Sequence, residues 1–90
     1  MSRYSLKPLH HRGDLFEVAV GWDPGLSTYF AIVFGTPEFA REPEVLLWRG
    51  RTFGEICEAA ALLEIVQVFA EVAPEMRSRL DADRSAEPTW

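Results

Sequence analysis

The chain has little cysteine, little lysine and no long apolar run, and each shortage removes a class of protein. Cys57 is the only cysteine among 90 residues, so no internal disulfide can form, whereas short secreted domains usually carry several. A reducing cytoplasm is therefore the expected compartment. Glu64 and Gln67 interrupt the richest apolar segment, which leaves nothing near the ~18 consecutive apolar residues of a membrane span. Met1-Ser2-Arg3-Tyr4-Ser5 lacks the apolar core of a secretion signal. Lys7 is the only lysine against eight arginines, a usage that points to a GC-rich bacterial genome. None of the six glycines falls in GxGxxG or GxxxxGK[ST] spacing, and CxxC, HxH and HExxH are absent. No cofactor and no metal are expected.

What is present is apolar content and misplaced charge. Hydrophobic residues make up 48% of the chain, ample for a domain that hides only about 60–65% of its unfolded surface. Residues 1–53 hold six basic and six acidic side chains, and residues 54–90 hold three basic and eight acidic ones, so the whole net charge of −5 lies in the second half. A nucleic-acid binder would show a basic stripe to neutralise phosphates. Nucleic acid is not an expected partner.

Periodicity supplies the fold. Tyr4 and Leu6 alternate with polar neighbours up to Pro8, as in an edge strand. Residues 15–22 alternate strongly, placing Phe16, Val18, Val20 and Trp22 on one face. Asp23-Pro24-Gly25-Leu26-Ser27 reads as a five-residue turn, after which Thr28 to Phe34 puts Phe30, Ile32 and Phe34 on one face and Tyr29, Ala31 and Val33 on the other. A loop with Phe39 as its buried plug follows, then a strand from Glu44 to Trp48 whose continuous apolar run Val45-Leu46-Leu47-Trp48 reads as covered on both faces. Past Gly50 the period becomes 3.6. Thr52-Phe53-Gly54-Glu55 fits a capping box, with Glu58 as a later alternative start. From Ala59 to Ala73 the apolar positions, Ile65, Val68 and Val72 included, span about 220° of the helix, against the ~100° that docking on one surface needs. Pro74 and Glu75 open a second helix running to about Arg84, with Met76 and Leu80 as anchors and Glu75/Arg79, Arg77/Asp81 and Arg79/Asp83 as surface pairs.

The expected architecture is α+β: a four-stranded antiparallel β-meander followed by two C-terminal helices packed on one sheet face, ββββαα. Residues 1–84 form one domain and residues 85–90 a flexible tail in which Trp90 is loose or tucked. Phe16, Val18, Val20, Trp22, Phe30, Ile32 and Phe34 should meet the helices, leaving Leu15, Tyr29, Val33 and, depending on register, Leu46 and Trp48 on the outer face. Val20-Gly21-Trp22-Asp23-Pro24-Gly25 running into Thr28-Tyr29-Phe30-Ala31, with Leu47-Trp48-Arg49-Gly50 and the 74–80 segment Pro-Glu-Met-Arg-Ser-Arg-Leu, resembles a group of short bacterial proteins of unknown function. The resemblance spans most of the chain and implies no activity and no site residues.

Catalytic constellations are weak. Cys57 with His10 or His11 has the ingredients of a thiolate–imidazole pair, yet a packing cysteine and two loop histidines explain the same residues. His10, His11 and Asp14 lack ligand spacing. An RRM-like stacking sheet would need Tyr4, Tyr29 and Trp48 on one open face, together with a basic charge that the chain lacks. The leading expectation is a non-enzymatic protein-interaction module, self-associating or binding a larger protein. Its surfaces would be the helix edge Ile65, Val68 and Val72, the acidic strip Glu64 and Glu71, and the outer-face aromatics Tyr29 and Trp48. A sharper version is an acidic inhibitor or adaptor acting on a basic, nucleic-acid-handling target, since small acidic anti-CRISPR proteins share this size and charge. The opposing class is a small enzyme or ligand-binding subunit with a site at a dimer interface around His10, His11, Asp14 or Cys57.

Overall fold

The computed structural model describes residues 2–36 and 41–86. Four strands, β1 (Tyr4–Leu6), β2 (Leu15–Asp23), β3 (Thr28–Gly35) and β4 (Glu44–Arg49), are followed by α1 (Ala59–Val66) and α2 (Met76–Ser85). The strands pair antiparallel in the order β1-β2-β3-β4, so the expected meander is the observed one. Helix α1 packs on β3, α2 on β2, and the helices on each other. The expected positions of Phe39 and Trp90 lie outside the described residues.

One face assignment is reversed. Asp23 pairs with Thr28 and Trp22 with Tyr29, so four residues, not five, turn the chain between β2 and β3. Cross-strand partners point to the same side of a sheet, and a one-residue change of register flips every side chain of the partner strand. Tyr29, Ala31 and Val33 therefore join Val18, Val20 and Trp22 beneath the helices, all of them buried. Phe30, Ile32 and Phe34 go to the outer face. The turn is tightened by the Gly25 N–H donating to Asp23 Oδ1 at 3.0 Å, with Ser27 at φ 46°.

A β-bulge corrects a second residue. Leu15 pairs with Gly35 and Glu17 with Phe34, which makes Phe16 the extra residue of β2. A bulge shifts the alternation by one, so Leu15 turns into the core while Phe16, expected inside, is 62% exposed. Strand β4 carries a matching irregularity, because Leu47 faces Val33 and Val45 faces Phe34, leaving Leu46 over. The strand was expected to be covered on both faces. Instead only Leu47 packs against the core.

The helical half also departs from expectation. Helix α1 ends at Val66, not near Ala73. The chain then pairs with the end of β1: Leu9 N–H donates to Phe69 O at 3.0 Å and Glu71 N–H to Lys7 O at 2.9 Å, around a Pro8–Ala70 bridge. These backbone partners replace the helical bonds that a longer α1 would make. Glu55 does not cap α1, which begins after Glu58, the later of the two starts considered. Helix α2 is docked. Tyr29 OH donates to Leu80 O at 3.2 Å and Tyr4 OH to Asp83 Oδ2 at 2.6 Å, while Met76 and Leu80 are buried. The ion pairs found among the described residues are Arg3–Glu17, Arg12–Asp14 and Arg49–Glu55; the surface pairs expected along α2 are not among them.

Candidate functional site: the uncovered sheet face

The register that buries Tyr29 creates the site. With Phe30, Ile32 and Phe34 turned outward and both helices on the other side, the outer face carries a row of apolar side chains. Phe16, Val45, Leu46 and Trp48 are 62%, 52%, 43% and 47% exposed. Taking roughly 150–250 Å² for a large aromatic side chain and somewhat less for an aliphatic one, Phe16, Val45 and Trp48 leave about 300 Å² of apolar surface open. That is the size of the largest patch on a typical monomer, often a functional one.

The face has two ends of different chemistry. Phe34 and Val45 share the outer face at the end where β2 begins and β3 finishes, with the bulged Phe16 beside Glu17, and Leu46 lies against Gly35, the partner of buried Leu15. At the other end, beside the β2–β3 turn, lies a groove of about 360 Å³ lined by Arg3, Asp23, Phe30, Ile32, Trp48 and Arg51, with Leu26 and Gly50. The Arg51 guanidinium stands over the Trp48 ring, 4.4 Å from its centroid. Arg3 donates to Glu17 at 3.2 Å, and the Ser5 hydroxyl donates to the same carboxylate oxygen at 2.7 Å. Phe30 lies against Gly21, where an added Cβ would come within 2.8 Å of its ring and 2.0 Å of Ser2 O.

The wall that carries Arg51 is held by a carboxylate. Glu55 Oε2 accepts from Arg49 Nε at 2.9 Å and Gly50 N–H at 3.1 Å, and Oε1 accepts from Arg51 N–H at 3.2 Å and the Thr52 hydroxyl at 3.1 Å. The Arg49 hydrogen bond foremost, then the Gly50 N–H, holds the Glu55 pKa down at about 2. Gly50 turns at φ 88°, with Tyr29 O only 2.2 Å from where a Cβ would stand. Thr52 and Glu55 do not form the expected capping box: the Thr52 hydroxyl donates to the Glu55 carboxylate instead, and the pair closes a turn that carries Arg51.

The other candidates are scattered. Tyr29 is fully buried and leaves the outer-face set, whereas Trp48 stays in it. Ile65 and Val72 are partly buried against the core and Val68 is 58% exposed, so the helix edge they were to share dissolves with the shortening of α1. Glu64 and Glu71 are exposed, Glu64 on α1 and Glu71 beyond it. His10 and His11 sit exposed beyond β1, near Asp14, which takes two hydrogen bonds from Arg12 at 3.1 and 3.0 Å. Cys57 lies at the opposite end of the sheet. Its thiol donates to Gly54 O at 3.1 Å, and its carbonyl accepts from Arg84, whose guanidinium covers the Trp22 ring. At about 3.3 Å per strand residue, the nine residues of β2 hold these two groups far apart. No cluster of three metal-capable side chains occurs among the described residues, and among them no helix is long and apolar enough to cross a membrane.

No protein family matches the chain, and no curated protein or solved structure does either. The site rests on its geometry.

Proposed function

We propose that the protein is a non-enzymatic interaction module of the bacterial cytoplasm that binds through its uncovered sheet face, by self-association in the first instance. The observation that carries this reading is the apolar end of that face, Phe16, Phe34 and Val45. A patch of this size on a small monomer is often functional. Two copies stacked through this face would bury about 600 Å² from Phe16, Val45 and Trp48 alone, with the half-buried Ile32 and Phe34 and a polar rim left to reach the ~1,000 Å² of a specific interface. Charge reversal at the patch tests it. Light scattering after gel filtration should give a dimer for the native chain at tens of micromolar and a folded monomer for Phe16→Glu and Val45→Glu. A native chain that stays monomeric at that concentration overturns self-association.

The exposed Glu64 and Glu71 favour a second reading, an acidic inhibitor or adaptor steered to a basic, nucleic-acid-handling partner. The enzyme or ligand-binding alternative, with a site at a dimer interface around His10, His11, Asp14 or Cys57, would draw that site from one end of the sheet, since the histidines and Cys57 lie at opposite ends.

A further inference from the structure

We propose that the groove at the turn end of the outer face is a small-molecule site for a planar aromatic anion carrying a ring-bound amino group. This goes beyond the interaction reading and does not depend on it. The groove's 360 Å³ falls at the small end of the ~300–1,000 Å³ usual for ligand clefts, room for one ring system with one anionic substituent. Trp48 supplies an aromatic face, with Ile32 and the buried Phe30 as an apolar floor, and an aromatic face of this kind stacks planar rings. Arg51 sits over the Trp48 indole with its backbone anchored by Glu55. Among the described residues its guanidinium has no carboxylate partner, and Arg3 commits one nitrogen to Glu17. Guanidinium groups bind carboxylates and phosphates through paired N–H donors. Two of them therefore converge on an aromatic groove in a chain whose net charge is −5, where chance would favour the opposite sign. Asp23 is the single acidic lining residue. Its Oδ1 is occupied by the Gly25 N–H, and its second oxygen supplies an acceptor for an amino group on the ring.

Two sources share this chemistry, a nucleoside monophosphate and an aromatic amino acid of the aminobenzoate kind. Titration of the ¹⁵N-labelled full chain with adenosine 5′-monophosphate and with 2-aminobenzoate, followed at the Trp48 indole N–H and the Arg51 amide, separates them. At least one probe should saturate with Kd below about 1 mM, and adenosine and inorganic phosphate, each lacking half of the chemistry, should bind at least about tenfold more weakly. Arg51→Gln and Trp48→Ala change half-exposed side chains and should each weaken binding about tenfold. Saturation by the nucleotide alone, the aminobenzoate alone or both supports the site and names its source. Failure of both probes to saturate at about 10 mM, or equal binding by the two variants, overturns it. A dimer stacked through this face would cover Trp48, so Phe16→Glu, which abolishes association, should bind the probe at least as tightly as the native chain. A Phe16→Glu monomer that fails to bind overturns the groove, and a native chain that stays monomeric overturns the interaction reading, so the two fail separately.

Discussion

Glu55 shows how much one side chain can organise. Its two oxygens accept four hydrogen bonds between Arg49 and Thr52, and a carboxylate so satisfied resists protonation. The folded-state pKa of about 2 lies below the ordinary 4.5, so the unfolded chain binds the proton more readily. The stability that Glu55 contributes is present above pH 4.5 and is lost as the pH falls from there through about 2. Replacement by Gln keeps the shape and removes the charge. Urea midpoints of the native chain and Glu55→Gln should therefore differ most above pH 4.5 and converge toward pH 2. A gap that does not narrow with acid would show that the turn is held by shape alone. Trp22 illustrates the opposite situation. Its Nε1–H is buried with no hydrogen-bond partner among the described residues, and its ring meets that of Tyr29 edge-on at 4.8 Å.

At the scale of elements, α2 is the test of how the core closes. It offers only Met76 and Leu80 as buried residues, with Tyr4, Tyr29 and Arg84 tying its length to the sheet and to the Cys57 carbonyl. Leu80→Ala should cost about 2–5 kcal/mol, a large share of the roughly 5–13 kcal/mol expected for 90 residues. Amide exchange should accelerate through residues 76–85 more than in β2 and β3, and uniform acceleration would mean that α2 and the sheet unfold as one. The existence and order of these elements were legible in the sequence because alternation in residues 15–22 and 28–34 and the change of period past Gly50 are strong local signals. The faces were not. They depend on whether Asp23 belongs to the turn or the strand, a choice decided by pairing across the sheet, and the same single-residue ambiguity hid the bulge at Phe16. The outer-face groove was illegible for a related reason. Arg3, Asp23, Trp48 and Arg51 come from three distant segments, and only the register brings them together; Trp48 alone was singled out beforehand.

For the whole molecule, charge and apolar surface pull association in different directions, and salt tells them apart. Each copy carries −5, so two copies repel at long range while their uncovered sheet faces attract at contact. Screening shortens the reach of that repulsion from about 30 Å at 0.01 M salt to about 8 Å at 0.15 M, and it leaves apolar burial intact. Self-association should therefore tighten as salt rises across this range. A basic partner drawn by Glu64 and Glu71 would behave in the reverse way, with an association rate that falls steeply as the same ions screen the attraction. Sedimentation velocity of the native chain at the two salt concentrations, with Phe16→Glu as the monomeric reference, reads the sign directly. A dimer strengthened by salt and absent from Phe16→Glu places the driving force on the apolar sheet face. A dimer weakened by salt would instead mean that opposite charges meet across the interface, with Arg3 and Arg51 of one copy facing the acidic helical half of the other, and Glu64→Lys with Glu71→Lys would then dissociate it.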